Sequence, residues 1–216
     1  MIILAIDTST RFQSVALVDE RGVALAEATR ELARSGADLL ATIDAACVGA
    51  NVAPLDIDAV AVGAGPGSFT GLRVGMATAK GIAFAARCPL WTASSLAALA
   101  HDELARDPSG AVVAVLDARR GEIYAGAYRI DDGRVVAVAP ERVMAPSELA
   151  AYAAGARVIG DYATDEPRTP TAAAVARLAL AGARVDELAT GAPSYIRRAE
   201  AEIRYPDGVP GALRRR

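Results

Sequence analysis

Gly63-Ala64-Gly65-Pro66-Gly67-Ser68-Phe69-Thr70-Gly71-Leu72-Arg73-Val74-Gly75 is the stretch on which the reading of this chain turns. A short apolar run, 59–62, leads into it and an apolar run through Ala86 follows, which is the order of a strand, a glycine loop and a helix. Glycine permits positive φ and close backbone approach, so the loop suits a tight fold or a ligand cradle. Ser68 and Thr70 are both placed to cap the helix by accepting from its first free N–H groups. Within the helix Gly71, Gly75, Ala79 and Ala83 recur every fourth residue and make a ridge without bulk. Side chains at a contact set the distance between helices, so this ridge predicts the close approach of another helix. The element is built to hold either a phosphate or a protein.

The phosphate motifs fail. A P-loop places lysine after its second glycine, but Gly71 is followed by Leu72. The dinucleotide pattern needs a third glycine where Thr70 stands. N–H groups at a helix start can hold an anion without either motif, so an anion contact stays open beside a plain packing role.

The 216 residues suffice for one large domain or two small ones with a real core. Net charge is −3, which argues against free nucleic-acid binding through bulk electrostatics. Two cysteines, Cys47 and Cys88, make neither a disulfide framework nor a multi-thiolate metal site. The apolar start is cut by Asp7 and lacks a basic flank, so no secretory signal is expected. No apolar run approaches the ~20 residues of a membrane span. A cytoplasmic protein without a membrane partner is expected.

Read in order, strands are predicted over 2–6, 14–18 and 23–29, then a helix over 36–48 with Leu39, Leu40, Ile43 and Cys47 at helical spacing. After a connector holding Pro54 come the strand at 59–62, the glycine helix, a strand over 88–92 and a helix reaching 105. Asp107-Pro108-Ser109-Gly110 reads as a hinge. Beyond it the pattern restarts with a strand at 112–116 ending in Asp117 and a hairpin over 122–143 closed at Asp131-Asp132-Gly133. A helix over 146–153, a strand at 157–159 and an alanine-rich helix over 171–183 follow. Each half thus opens with three strands, the first closed by aspartate, and continues with helices. This predicts an α/β fold of two actin-like (ribonuclease H-like) lobes with mixed sheets flanked by helices. The expected lobes are 1–106 and 107–216, with the C-terminal segment free to return to the first.

Strand ends of paired α/β lobes converge on the cleft, which makes Asp7 and Asp117 an acidic pair able to hold hydrated Mg²⁺. Thr8, Ser9, Gly67 and Ser68 are further candidate nucleotide contacts. The alternative is that each aspartate caps its own turn. His101 is the only histidine, so a helical two-histidine metal site is impossible, and Gly-x-Ser-x-Gly is absent. No catalytic or metal residue is assigned, and Arg214-Arg215-Arg216 reads as a solvated end. What remains is a surface. Leu39, Leu40 and Ile43 on the first helix and Arg73, Met76, Lys80 and Ala83 on the second are the candidate interface, with Gly71, Gly75 and Ala79 permitting close approach. On this reading Gly75→Leu abolishes pairing and leaves the fold intact.

Ile3-Leu4-Ala5-Ile6-Asp7-Thr8-Ser9, the glycine stretch, Asp117-Ala118-Arg119-Arg120-Gly121-Glu122-Ile123-Tyr124 and Pro193-Ser194-Tyr195-Ile196-Arg197 together resemble the bacterial TsaB (YeaZ) family. The resemblance implies a non-catalytic scaffold subunit in tRNA threonylcarbamoyladenosine biosynthesis. It further implies that the first two helices bind and activate a TsaD-like catalytic subunit, that a TsaE-like ATPase joins them, and that the lone protein forms a homodimer. Contact with tRNA then comes only through the complex. No cofactor is expected on the lone chain, with ATP or ADP a candidate at the subunit joint. Two positions depart from the family pattern: Ser35 stands where many relatives have histidine, and Ala41 where they have proline. Asp7-Thr8-Ser9-Thr10 also lacks the glycine with which actin-like kinases meet phosphate. The rival function is a self-sufficient ATPase or peptidase using Asp7 and Asp117.

Overall fold

A computed structural model of the chain describes residues 1–31, 38–162 and 167–197. In the first of two mixed sheets, β1 (Ile2–Asp7), β2 (Phe12–Asp19) and β3 (Ala24–Glu31) pair antiparallel in succession. The strands β4 (Ala59–Gly63) and β5 (Leu90–Ala93) join in parallel, giving the order β3-β2-β1-β4-β5. The second sheet repeats the scheme with β6 (Val112–Arg119), β7 (Glu122–Asp131), β8 (Arg134–Met144) and β9 (Arg157–Gly160) in the order β8-β7-β6-β9. In connection β6 stands where β1 does and β9 where β4 does, so the chain carries two actin-like, ribonuclease H-like lobes, the second without a fifth strand.

The central strands β1 and β4 are apolar almost throughout because both of their faces are covered. Leu4, Ile6, Val60 and Val62 point to one side, where α1 (Asp38–Ala50) and α2 (Phe69–Ala86) lie. Ile3, Ala5, Ala59 and Ala61 point to the other, against α5 (Ala172–Ala181), whose alanines let it come close. Thr171 caps α5 by accepting from the Ala174 amide (3.1 Å), and the Ala172 amide donates to Ser14 Oγ (2.9 Å). A helix from the second half of the chain therefore completes the first lobe. Between the sheets, α3 (Ser95–Arg106) turns Leu96, Leu99, Ala100 and Leu104 onto the second sheet and Ala98 toward the first. The outer face of the second sheet is covered by α4 (Leu149–Ala153).

Some expectations shift at their edges. The helix expected over 146–153 opens as a 3-10 turn, Pro146–Glu148, before α4 begins. The helix expected from Gly36 is described from Asp38 and runs on to Ala50; its start, Ser35 and the terminal arginines lie outside the described residues. β6 continues past Asp117 to Arg119 through a register shift, so Asp117 does not close its strand as Asp7 does. Among the described residues no helix is long and apolar enough to cross a membrane.

Candidate functional site

Asp7 ends β1 with its carboxylate enclosed. Oδ1 accepts from the Ser9 amide (2.9 Å) and the Ser9 hydroxyl (2.6 Å), and Oδ2 accepts from the Ser95 hydroxyl at the start of α3 (2.7 Å). Burial pushes the carboxyl pKa up, against these hydrogen bonds, which favour the ionised form. Thr8 donates its hydroxyl to the Gly71 carbonyl (2.7 Å). The Ser9 carbonyl accepts from the Ser68 amide (2.6 Å), and Ser68 Oγ caps α2 by accepting from the Gly71 amide (3.2 Å). Gly67 comes so near that a Cβ there would lie 2.3 Å from the Ser9 carbonyl oxygen. The sequence-predicted residues Asp7, Thr8, Ser9, Gly67 and Ser68 do converge, but on one another. A phosphate-binding turn needs amides pointing into open space, whereas those of Ser9, Ser68 and Gly71 are already bonded within the chain.

Asp117 belongs to a separate network. Its Oδ1 accepts from the Arg119 amide (2.7 Å), its Oδ2 lies 3.3 Å from the Arg119 guanidinium, and its own amide donates to Asp161 Oδ1 (2.8 Å). Burial raises the Asp161 pKa. Asp7 and Asp117 each accept from the amide two residues on, as aspartate side chains that close their own turns readily do. Among the described residues no group of three or more His, Cys, Asp or Glu is placed to hold a metal.

The glycine-alanine ridge faces inward, and this corrects the expected landing surface. A Cβ on Gly71 would stand 2.1 Å from the Thr8 carbonyl oxygen and one on Gly75 2.2 Å from Thr8 Oγ1. Ala79 and Ala83 are fully buried against the first sheet, in one cluster with Leu4, Ile6, Val60 and Val62. Leu39, Ile43 and Met76 are buried in that same cluster. The physical reason is that small residues let α2 settle onto β1 and the turn after it. The partner of the close approach is the chain's own sheet.

Of the candidate interface, Leu40 and Arg73 point outward and Lys80 is half-buried. Leu40 is 60% exposed and is followed one and two turns on by Asp44 and Val48, the latter 74% exposed. On α2 the outward row continues from Arg73 through Ala77 and Gly81 to Phe84, which is 77% exposed. Val48 and Phe84 were not among the predicted residues. Their signal was present as apolar side chains on the helix faces opposite the buried rows, a pattern expected of a protein contact.

The motif 193–197 acquires a physical role. Glu187 donates its amide to the Leu90 carbonyl at the edge of β5 (2.8 Å), and Ser194 donates its amide to Ala64 in the glycine loop (2.7 Å). Tyr195 stacks near Phe69 with ring centroids 5.2 Å apart and accepts from Arg73 Nε (3.0 Å). Arg197 donates to the Ala118 carbonyl (2.9 Å) and pairs with Glu122 (3.3 Å).

A family model described as tRNA N6-adenosine threonylcarbamoyltransferase (TsaD) matches residues 19–190. The protein named tRNA threonylcarbamoyladenosine biosynthesis protein TsaB of Bacillus subtilis is 33% identical over 142 residues, covering 66% of this chain and 61% of that protein. The protein of the same name in Escherichia coli is 36% identical over 141 residues, covering 62% and 58%. The chain thus spans about three fifths of the length of these curated relatives. A solved structure from Pseudomonas aeruginosa, an uncharacterized protein with similarity to peptidase YeaZ, is 33% identical with a TM-score of 0.80, covering 91% of this chain and 99% of that one. By the family model over 19–190 and by these relatives, the chain belongs to the TsaB (YeaZ) family, within the group that the threonylcarbamoyltransferase model describes.

Proposed function

We propose that this protein is a non-catalytic partner subunit in tRNA threonylcarbamoyladenosine biosynthesis, which binds and activates a TsaD-like catalytic subunit through the outer faces of α1 and α2. The observation that carries this reading is the exposure of Leu40, Val48 and Phe84 on helices whose other faces are fully engaged with the sheet. The contact residues in this proposal are Leu40, Val48, Arg73, Lys80 and Phe84, with Ala41 beside them. A TsaE-like ATPase, tRNA and a nucleotide at the joint enter through the assembled complex. Alone, the chain pairs with itself over the same face.

The test is co-purification and sedimentation of the full chain with the TsaD-like protein of the same cell. Wild type should form a stable complex and Phe84→Glu should not; a Phe84→Glu chain that binds as wild type does overturns the proposed face. The ATPase reading is separated by calorimetry of the lone chain with Mg·ATP, for which no saturable heat is expected because the Ser9, Ser68 and Gly71 amides are bonded within the chain.

A further inference from the structure

The segment 186–197 leaves α5, covers an open sheet edge and ends on the opposite lobe. At its start Glu187 donates to the Leu90 carbonyl, the Leu90 amide donates to Asp186 Oδ1 (3.1 Å), and Thr92 Oγ1 donates to Glu187 Oε2 (2.9 Å). The exposed edge of β5 is thereby blunted. At its end Ile196 packs into the cluster between α3 and the second sheet, and Arg197 holds the β6–β7 turn at Ala118 and Glu122. That turn runs through positive φ at Arg119, Arg120 and Gly121, a conformation that costs free energy at the two arginines and persists only where surrounding contacts fix it.

Between the two ends the Ser194 amide donates to the Ala64 carbonyl (2.7 Å), and next to it lies a side-chain catch. The Arg73 guanidinium sits 3.7 Å from the Phe69 ring centroid and 5.9 Å from that of Tyr195 while its Nε donates to the Tyr195 hydroxyl. All three side chains are exposed, and Arg73 belongs to the outward row of α2. We infer that 186–197 is a latch whose catch is Phe69–Arg73–Tyr195, so that a disturbance on the outer side of α2 is transmitted to the β6–β7 turn of the second lobe. Among the described residues the lobes are also joined through α3, the Ser94–Glu141 hydrogen bond and the Glu103–Arg157 and Glu103–Arg168 ion pairs (3.0 and 3.1 Å).

Hydrogen–deuterium exchange on the whole chain, with no TsaD-like protein present, tests the latch. Tyr195→Ala removes the ring pair and the acceptor for Arg73. It is expected to speed exchange about tenfold over both 186–197 and 112–122, the factor matching the loss of one cation–π contact and one ring pair. Tyr195→Phe keeps the ring against Phe69 and should give a smaller rise in the same two segments, while peptides from β1 and β4 stay at wild-type rates. An unchanged 112–122 in Tyr195→Ala, with 186–197 alone loosened, overturns the coupling, and unchanged exchange in both segments overturns the latch altogether. Because every exchange is read against the β1 and β4 peptides of the same molecule, general loss of fold registers as a rise there and is told apart from release of the catch.

Discussion

Replacing Gly75 by alanine adds one methyl group at the point where α2 meets the turn after β1. The new carbon would stand 2.2 Å from Thr8 Oγ1, with Thr8 Cβ at 3.4 Å and Cγ2 at 3.5 Å. Thr8 is fully buried and bonded to the Gly71 carbonyl, so it cannot yield without breaking that bond or pushing the helix off the sheet. Overpacking costs about 1–3 kcal/mol, and a buried hydroxyl left without its partner costs about another 1–3 kcal/mol. Alanine returns about 1 kcal/mol in helix propensity. The net loss is about 3 kcal/mol, or some 6–12 °C at about 2–4 °C per kcal/mol for a chain of this size. Gly81 in the same helix supplies the control, since nothing lies within 4 Å of a Cβ built there, and Gly81→Ala should gain about 0.5–1 kcal/mol. Thr8→Ala in the Gly75→Ala background leaves only the 3.4 Å contact and should recover about 1 kcal/mol or more beyond additivity. Thermal melts by circular dichroism, with urea titrations followed at Trp91, read all three. A Gly75→Ala chain that melts at or above wild type, like Gly81→Ala, would refute the inward orientation of the ridge. The same geometry replaces the expectation that Gly75→Leu spares the fold, since a larger side chain meets the same wall.

Leu40→Glu and Phe84→Glu should each melt within about 0.5 kcal/mol of wild type, since both side chains are largely exposed, while weakening self-association or partner binding in sedimentation. The buried Asp7 carboxyl has its pKa raised above 3.8, so on acidification the folded form takes up its proton before the unfolded form does. Wild type is therefore penalised relative to Asp7→Asn as pH rises from below 3.8 through the folded pKa, and the penalty is absent when both states are protonated. Paired denaturation curves should show the Asp7→Asn advantage growing with pH, and parallel curves would contradict the sign.

The order of elements was legible because β1, β4 and β6 are short apolar runs ended by polar turns and the hairpin at Asp131-Asp132-Gly133 carries its own turn chemistry. The duplication followed from the two three-strand openings. The direction of the α2 ridge was not legible. Spacing at every fourth residue says that something comes close to Gly71 and Gly75, and nothing local names Thr8, over sixty positions earlier, as that neighbour. The same limit leaves Leu39, Ile43 and Met76 indistinguishable by spacing from Leu40 and Arg73: a helix of mostly small apolar residues gives weak contrast between its two sides. The role of 186–197 was invisible because an extended strap has no period. Its residues are chosen by the Leu90 edge, the Arg73 side chain and the Ala118 carbonyl, each of which is distant in sequence.

The seating of Ala172–Ala181 on the first sheet bears on how the molecule is made. A ribosome finishes β5 long before it reaches that helix, and at about 5–20 residues per second the gap lasts several seconds. In that window Ile3, Ala5, Ala59 and Ala61 have no α5 over them, while everything needed for the second sheet emerges. The later-encoded sheet can thus be finished before the earlier one. A chain cut after Arg106 should therefore aggregate rather than yield a free-standing half, so that the two lobes, separable on paper, melt and form as a single cooperative body.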